Sequence, residues 1–230
     1  NYNNMLTSPQ GNVRLKLMLK INLQQTWENI MQKNRVFENM RKTALERLMG
    51  RDPVEIQKNT GIVFVPETSE FRLISMGQNI TVTWPEYRIK PELNQWHHLA
   101  VLHYMDMADG SSLTGELMSF GELPGGMVRG GGFDRLCEQT VSHSLGDRSE
   151  SAVKEICRTL GGKTISCNAD LGIVFPFLPY YPITLKIWFA DEEIAGTGRM
   201  FLDRSAGHFL SVEDAVTVGT LLLEEIVKKI

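Results

Sequence analysis

A glycine-rich stretch, GELPGGMVRGGGFDRL at residues 121–136, has the composition of an anion-binding loop. Six of its sixteen residues are glycine, and helical spacing of apolar residues begins at Phe133. Backbone amides at a helix N-terminus bind anions, and glycine lets a ligand approach the backbone. Nucleotide loops of this outline need a Lys-Ser or Lys-Thr pair or a parallel strand–helix unit. Phe133-Asp134 follows the last glycine in place of the lysine pair, and the surrounding sequence supplies no parallel strand–helix unit.

Two interpretations of this stretch therefore stay open. In the first, its backbone contacts a small anionic ligand. In the second, the glycines serve only a loop that requires positive φ angles. The ligand-binding interpretation assigns the contacts to Gly125, Gly126, Gly130, Gly131 and Gly132.

Histidines on one predicted helix are the candidates for metal chemistry. His98 and His103 are five residues apart, and His97 and His103 are six apart. Two metal ligands on a helix need a separation of three or four, so neither pair converges on one ion. His103 shares a helix face with Met107, a pair that would approach a haem or corrinoid from one side. The competing interpretation is a core histidine with a hydrogen-bonded ring.

Carboxylates near the ends of two predicted strands and one helix suggest a second chemistry. A hard divalent cation binds several such oxygens, and a hydrolase or transferase would use them around the ion. That hypothesis requires at least three of them to converge. The alternative is that each forms a turn or a helix cap. The candidates are Asp191, Glu192, Glu193, Asp203 and Glu213.

An aromatic and proline-rich segment, VFPFLPYYPITLKIW at residues 174–188, predicts a stiff crossing strand. Rings that are held rigidly lose little entropy on binding, which suits an apolar cofactor or a partner protein. Core packing with strand ends set by proline is the alternative. The rings that would cover an apolar ligand are Tyr180, Tyr181 and Trp188.

Composition excludes several functional classes. The chain has 230 residues, is 42% hydrophobic and carries a formal net charge of −3, so it has no basic surplus for nucleic acid or anionic lipid. No apolar run approaches the roughly 20 residues that span a bilayer. The first ten residues resemble no secretory signal, which predicts a cytoplasmic location. Cys137, Cys157 and Cys167 are too widely spaced for an iron–sulfur cluster, which predicts reduced, buried thiols.

Periodicity predicts an α+β fold with a mainly antiparallel sheet and packed helices. Alternation at residues 13–23 predicts a strand, and residues 71–84 predict a hairpin whose turn is Gly77-Gln78-Asn79. Three further strands follow from residue 171 to residue 203. A continuous apolar stripe from Val212 to Ile230 predicts a C-terminal amphipathic helix capped by Ser211.

Several stretches together resemble a known prokaryotic domain family of unknown function that is common in anaerobes. They are RVFENMRKTALERLMGRDPVEIQKNTG, VLHYMDMADG, LMSFGELPGG, LPYYPITLKIWFADEEI and MFLDRSAGHFLSVEDA. The resemblance covers residues 35–230, which predicts a single α+β domain there and an N-terminal extension at residues 1–34. Some family members follow a four-cysteine iron–sulfur domain of the corrinoid iron–sulfur protein type. This chain lacks those cysteines.

The resemblance implies a context of anaerobic one-carbon, corrinoid or redox metabolism, with an iron–sulfur or corrinoid protein as partner. It assigns no catalytic residue. The leading hypothesis is therefore a cytoplasmic accessory or ligand-binding domain, with its site where the glycine stretch meets the aromatic segment. The alternatives are the divalent-metal enzyme and a tetrapyrrole-binding protein that uses His103.

Overall fold

A computed structural model describes residues 35–230, and the strand predicted at residues 13–23 lies outside them. The chain divides into two compact units, Asn1–Thr43 and Ala44–Ile230. The helices are α1 (35–48), α2 (Pro53–Thr60), α3 (Gln95–Met107), α4 (Arg129–Ser144), α5 (Glu150–Thr159) and α6 (Val212–Lys228). The strands are β1 (Val63–Val65), β2 (Glu70–Ser75), β3 (Gln78–Thr83), β4 (Ile89–Lys90), β5 (Leu117–Met118), β6 (Lys163–Ile165), β7 (Leu171–Leu178), β8 (Tyr181–Trp188) and β9 (Thr197–Asp203).

The strands form two antiparallel sheets, which confirms the α+β prediction. The smaller sheet has the order β1-β2-β3-β4, and the larger has the order β5-β9-β8-β7-β6. In the smaller sheet the predicted hairpin pairs Glu70 with Thr83 and Ser75 with Gln78. Met76 and Gly77 form its turn with φ angles of 46° and 74°, the left-handed geometry that matches the twist of a two-residue hairpin.

Side chains at the helix ends define where several helices begin. The Asp52 carboxylate accepts the Val54 amide at the start of α2. Asn94 accepts the Trp96 amide at the start of α3. Ser211 accepts the Asp214 amide at the start of α6, as the sequence predicted. These caps satisfy amides that lack a partner within the helix.

The core lies on the larger sheet. Strands β7 and β8 carry buried aliphatic and aromatic side chains at most positions, and α4 packs against both β9 and α6. Cys137 and Cys157 are buried free thiols, and burial raises the pKa of each to about 12. Cys167 is only partly buried. None of the helices within residues 35–230 is long and apolar enough to cross a membrane.

Candidate functional site

A cleft of about 810 Å³ lies between strands β1–β3 of the smaller sheet and strands β6–β7 of the larger. This volume is within the usual range for small-molecule sites, roughly 300–1,000 Å³. The cleft-lining residues are Gly61, Val63, Val65, Arg72, Leu73, Ile74, Gly77, Asn79, Ile80, Thr81, Gly161, Lys163, Pro176, Leu178 and Pro179.

The lining of this cleft is apolar with a small cationic component. Val63 and Ile74 leave 57% and 58% of their surface exposed. Arg72 and Lys163 are the charged lining residues, and no lining residue carries a carboxylate. Glu70 lies beside Arg72 with an N–O distance of 3.7 Å. An exposed pair of this kind contributes little free energy, so the Arg72 guanidinium can exchange this partner for a ligand.

Hydrogen bonds below one end of the cleft fix the turn between β7 and β8. The Tyr104 hydroxyl donates to the Thr60 carbonyl at 2.7 Å and accepts the Tyr180 amide at 2.9 Å. Tyr104 is fully buried. The Tyr180 ring packs directly on Gly61, where an added Cβ would lie 2.8 Å from the ring. These contacts fix the position of the β7–β8 turn relative to the end of α2.

The other end of the cleft is closed by the β2–β3 hairpin. A Cβ placed on Gly77 would lie 2.9 Å from the Thr159 carbonyl oxygen. The hairpin turn therefore packs against the end of α5 with no room for a side chain. One end of the cleft is therefore held by the Tyr104 and Tyr180 side chains, and the other by backbone packing at Gly77.

The glycine stretch does not form the expected loop before Phe133. Helix α4 begins at Arg129, so Gly130, Gly131 and Gly132 lie within its first turn. A Cβ on Gly130 would lie 2.0 Å from the Phe120 carbonyl oxygen, and one on Gly126 would lie 2.5 Å from it. Gly125 alone of the five has a positive φ, 75°. Four of the five therefore do not need positive φ, and two allow close backbone packing.

The Asp134 carboxylate holds the start of this stretch in place. Its carboxylate accepts the amides of Phe120 and Gly121 at 3.1 and 2.9 Å. The carboxylate thus ties residues 120–121 to the side of α4. None of the five predicted glycines lines the cleft. Their ligand-binding role stays a prediction.

The aromatic residues do not form one ligand-facing surface. Tyr181 and Trp188 lie at opposite ends of β8, which an eight-residue strand separates by roughly 23 Å. Tyr181 is fully buried, and Tyr180 packs on Gly61. A ligand-binding role for these three rings stays a prediction. Pro176, Leu178 and Pro179 of the same segment line the cleft instead.

The acidic residues are separate, as expected for turn and capping roles. Asp191 accepts the amides of Glu193 and Ile194 in a turn. Glu192 and Glu213 are exposed. Strands β8 and β9 are antiparallel, so Asp191, which follows β8, and Asp203, the last residue of β9, lie at opposite ends of this strand pair. Residues 35–230 contain no group of three histidine, cysteine or carboxylate side chains suited to a metal ion. The convergence that the divalent-metal hypothesis requires is absent from this part of the chain.

Asp203 is a structural anchor. Burial alone would raise its pKa, but hydrogen bonds from Ser205, Thr114 and Gly115 outweigh burial and lower the pKa to about 2. The donors include the Thr114 and Gly115 amides at 3.0 and 2.7 Å. The carboxylate therefore fixes the loop before β5 to the end of β9.

Three of the five histidines illustrate different environments. His97 is buried and its Nε2 lies 2.8 Å from the Ser75 hydroxyl, and burial lowers its pKa to about 4. His103 places Nδ1 2.7 Å from Asp214. His208 makes an exposed pair with Asp109 at 2.8 Å. No local sequence pattern predicts the His103–Asp214 contact, since the two residues are 111 positions apart.

A second cavity of about 670 Å³ lies between α4 and the connection from β8 to β9. Its charged lining residues are Arg135, Glu138 and Asp147, and His143 also lines it. Because this lining carries charges of both signs, it favours neither an anionic nor a cationic ligand. The apolar cleft is the more specific site.

Comparison with known families identifies the chain. The family model "Domain of unknown function (DUF3786)" matches residues 52–225. The chain belongs to this family. The match includes all the residues that line the cleft. No curated protein and no solved structure matched the chain.

Proposed function

We propose that this member of the DUF3786 family is a cytoplasmic accessory domain that binds a small amphipathic acid in the cleft. The ligand would have an apolar body and one carboxylate. The observation that carries the proposal is the cleft lining, in which Arg72 and Lys163 are the charged residues among mostly apolar neighbours. Apolar walls with a few placed polar groups are typical of small-molecule sites.

The residue types in the cleft favour binding over catalysis. The lining contains no histidine, cysteine, aspartate or glutamate. These side chains supply most general acids and bases. Lys163 and Thr81 also line the cleft but have no such residue beside them in the lining to activate them as nucleophiles. Arg72 and Lys163 supply positive charge for a carboxylate. A carrier, sensor or delivery role follows from this set of groups.

The expected affinity is moderate. Each buried methylene contributes about 0.8 kcal/mol, so a chain that buries half of twelve carbons gains about 5 kcal/mol. A charge-assisted hydrogen bond adds about 1.5–3 kcal/mol, and association costs remove part of the total. We expect a Kd on the order of 10–100 μM for dodecanoate.

The family resemblance gives this binding role a metabolic setting. We place the domain in anaerobic one-carbon, corrinoid or redox metabolism, beside an iron–sulfur or corrinoid protein that supplies the reactive centre. Pull-down from an anaerobic host lysate, followed by mass spectrometry, tests this setting. Recovery of such a partner with the wild-type chain supports it, and reproducible recovery of partners without metal centres contradicts it.

Fluorescence titration tests the cleft itself. The probe is 8-anilinonaphthalene-1-sulfonate, an anionic aromatic dye, which dodecanoate should displace. Dodecanol, which has the same chain without the charge, should displace it at least 5-fold less effectively. The double variant Arg72→Met with Lys163→Met should bind dodecanoate about 10-fold more weakly. Equal displacement by the acid and the alcohol would overturn the assignment of the charged group.

A matched control uses a cation outside the cleft. Arg158 is exposed and pairs with Glu155 on α5. The Arg158→Met variant loses a positive charge but no cleft contact, so its dodecanoate affinity should equal that of the wild type. A comparable loss of affinity in this control would show that net charge, and not the cleft, governs binding.

A further inference from the structure

Two uncharged polar side chains line the cleft beside its cations. They belong to Asn79 and Thr81, both on β3. Residues two apart on a strand share a face, so these two side chains lie on the same side of the smaller sheet. A carboxylate is complementary to Arg72 and Lys163, which also line the cleft. Asn79 and Thr81 are therefore available to a second polar group of the same ligand.

The strand register places Thr81 directly opposite Arg72. These two residues are partners in the β2–β3 ladder, and Ile74 is the partner of Asn79. Directly opposite residues of an antiparallel pair have Cβ atoms about 4.5–5.5 Å apart on one face of the sheet. A ligand group that is bound by Thr81 would therefore lie close to a carboxylate that is bound by Arg72.

The hydrogen-bonding capacity of these side chains indicates which ligand group they would bind. Arginine and lysine only donate hydrogen bonds, whereas a threonine hydroxyl and an asparagine amide both donate and accept them. Within residues 35–230, neither the Asn79 nor the Thr81 side chain is hydrogen-bonded to another residue. An alcohol matches both groups, because its hydroxyl also donates and accepts.

We propose that the ligand of the cleft is a hydroxy acid, with its carboxylate on Arg72 and its hydroxyl on Thr81. This inference rests on the proposed function, because it names the substrate class of the same cleft. A hydroxyl on carbon 3 is close enough to the carboxylate for one ligand to contact both side chains. Thr81 is then the residue that determines specificity, and Asn79 is a second hydrogen-bonding group on the same face.

The direction of the hydroxyl effect on affinity tests this assignment. A ligand hydroxyl that enters an apolar cleft without a partner weakens binding, because it loses its hydrogen bonds to water. With Thr81 as its partner, the hydroxyl should strengthen binding. We expect one enantiomer of 3-hydroxydodecanoate to displace 8-anilinonaphthalene-1-sulfonate about 5-fold more effectively than dodecanoate. The isomer 12-hydroxydodecanoate carries its hydroxyl at the far end of the chain and should be less effective than dodecanoate.

Separate titrations with the two enantiomers provide a second readout. The Arg72 contact, the Thr81 contact and the apolar wall fix three substituents around carbon 3, so only one enantiomer can satisfy all of them. The affinities of the two enantiomers should differ by about 5-fold, the effect of one hydrogen bond. Non-specific adsorption of the acid to exposed apolar surface would not distinguish them.

The decisive variant is Thr81→Val, which keeps the branched shape of the side chain and removes the hydroxyl. The ratio of the 3-hydroxydodecanoate affinity to the dodecanoate affinity should fall from about 5 to 1 or below. The matched control is Thr164→Val. Thr164 follows Lys163 on β6, so its side chain lies on the opposite face of the strand and outside the cleft lining. The affinity ratio of this control should equal that of the wild type.

Three results would overturn the hydroxy-acid assignment while dodecanoate still binds and the proposed function stands. They are a wild-type protein that binds neither enantiomer more tightly than dodecanoate, equal affinities for the two enantiomers, and an affinity ratio that Thr81→Val leaves unchanged. Failure of every acid to displace the dye would overturn both proposals. The wild-type titrations decide the outcome even if Thr81→Val does not fold.

Discussion

A Cβ added to Gly77 would lie 3.2 Å from the amide nitrogen of Gly161. This contact joins the β2–β3 hairpin turn to the end of α5, two parts of the chain that are more than 80 residues apart. Both residues line the cleft. The shape of the cleft therefore depends on a backbone approach that only glycine allows at Gly77, where φ is 74°.

Replacing Gly77 with alanine should destabilise the fold and open the cleft. The left-handed conformation costs a residue with a Cβ about 1–2 kcal/mol, and crowding adds about 1–3 kcal/mol. We expect a loss of about 3 kcal/mol in the free energy of unfolding, measured by urea denaturation. Gly125→Ala is the control, because it has a φ of 75° with no neighbouring atom within 4 Å. An equal loss in both variants would show that the contact with α5 is unimportant.

The Ile74→Glu substitution should weaken ligand binding without unfolding the protein. Ile74 is 58% exposed, so the free energy of unfolding should change by less than about 0.5 kcal/mol. The new carboxylate would repel an anionic ligand and compete for Arg72. We expect dodecanoate to bind at least 10-fold more weakly by calorimetric titration. Ile194→Glu adds the same charge at a site that is 68% exposed and outside the cleft, and its binding should be unchanged.

Asp203→Asn should destabilise the protein without changing ligand binding. An amide cannot accept all the hydrogen bonds that reach this carboxylate from Thr114, Gly115 and Ser205. Loss of bonds to a charged group costs about 2–4 kcal/mol. A pKa lowered from 3.8 to about 2 means that the carboxylate stabilises the fold above pH 4 and loses this effect as the pH falls towards 2. The difference in unfolding free energy between variant and wild type should therefore narrow below pH 4. A constant difference from pH 7 to pH 2.5 would contradict this role.

His97 should make the protein less stable as the solution becomes mildly acidic. Its pKa is lowered by burial from 6.5 to about 4, so the unfolded chain binds the proton first as the pH falls. The free energy of unfolding should decrease from pH 6.5 to pH 4, by at most about 1.4 kcal/mol per pH unit. His97→Gln removes this titration. Urea denaturation at pH 7, 6 and 5 should show a smaller pH dependence in the variant, and an unchanged dependence would contradict the assignment.

Elements set by local signals were predictable from the sequence. The Ser211 cap depends on neighbouring residues and occurs where predicted. The β2–β3 hairpin also forms as predicted, with its turn one residue earlier, at Met76 and Gly77. The two long strands β7 and β8 also follow from their continuous apolar runs. The short edge strands β1, β4, β5 and β6 have only two or three residues each. They form because a long strand pairs with them, which no local pattern encodes.

The glycine stretch shows how tertiary packing can override local propensity. Three consecutive glycines disfavour a helix, yet Gly130–Gly132 are helical. Gly130 allows the helix to approach the Phe120 carbonyl, and the Asp134 carboxylate holds the same loop. The cleft was unpredictable for a similar reason. Its walls come from residues 61–81 and 161–179, so only the folded chain brings them together.

The most direct test of the account is a methyl NMR titration of the wild-type protein with dodecanoate. If the cleft is the binding site, the methyl signals of Val63, Ile74 and Leu178 should shift in a saturable manner, with intermolecular contacts to the ligand chain. The methyl signals of Ile194 and Ile230 lie outside the cleft and should not change. Shifts confined to methyl groups outside the cleft, or no saturable shift at millimolar dodecanoate, would contradict the central claim.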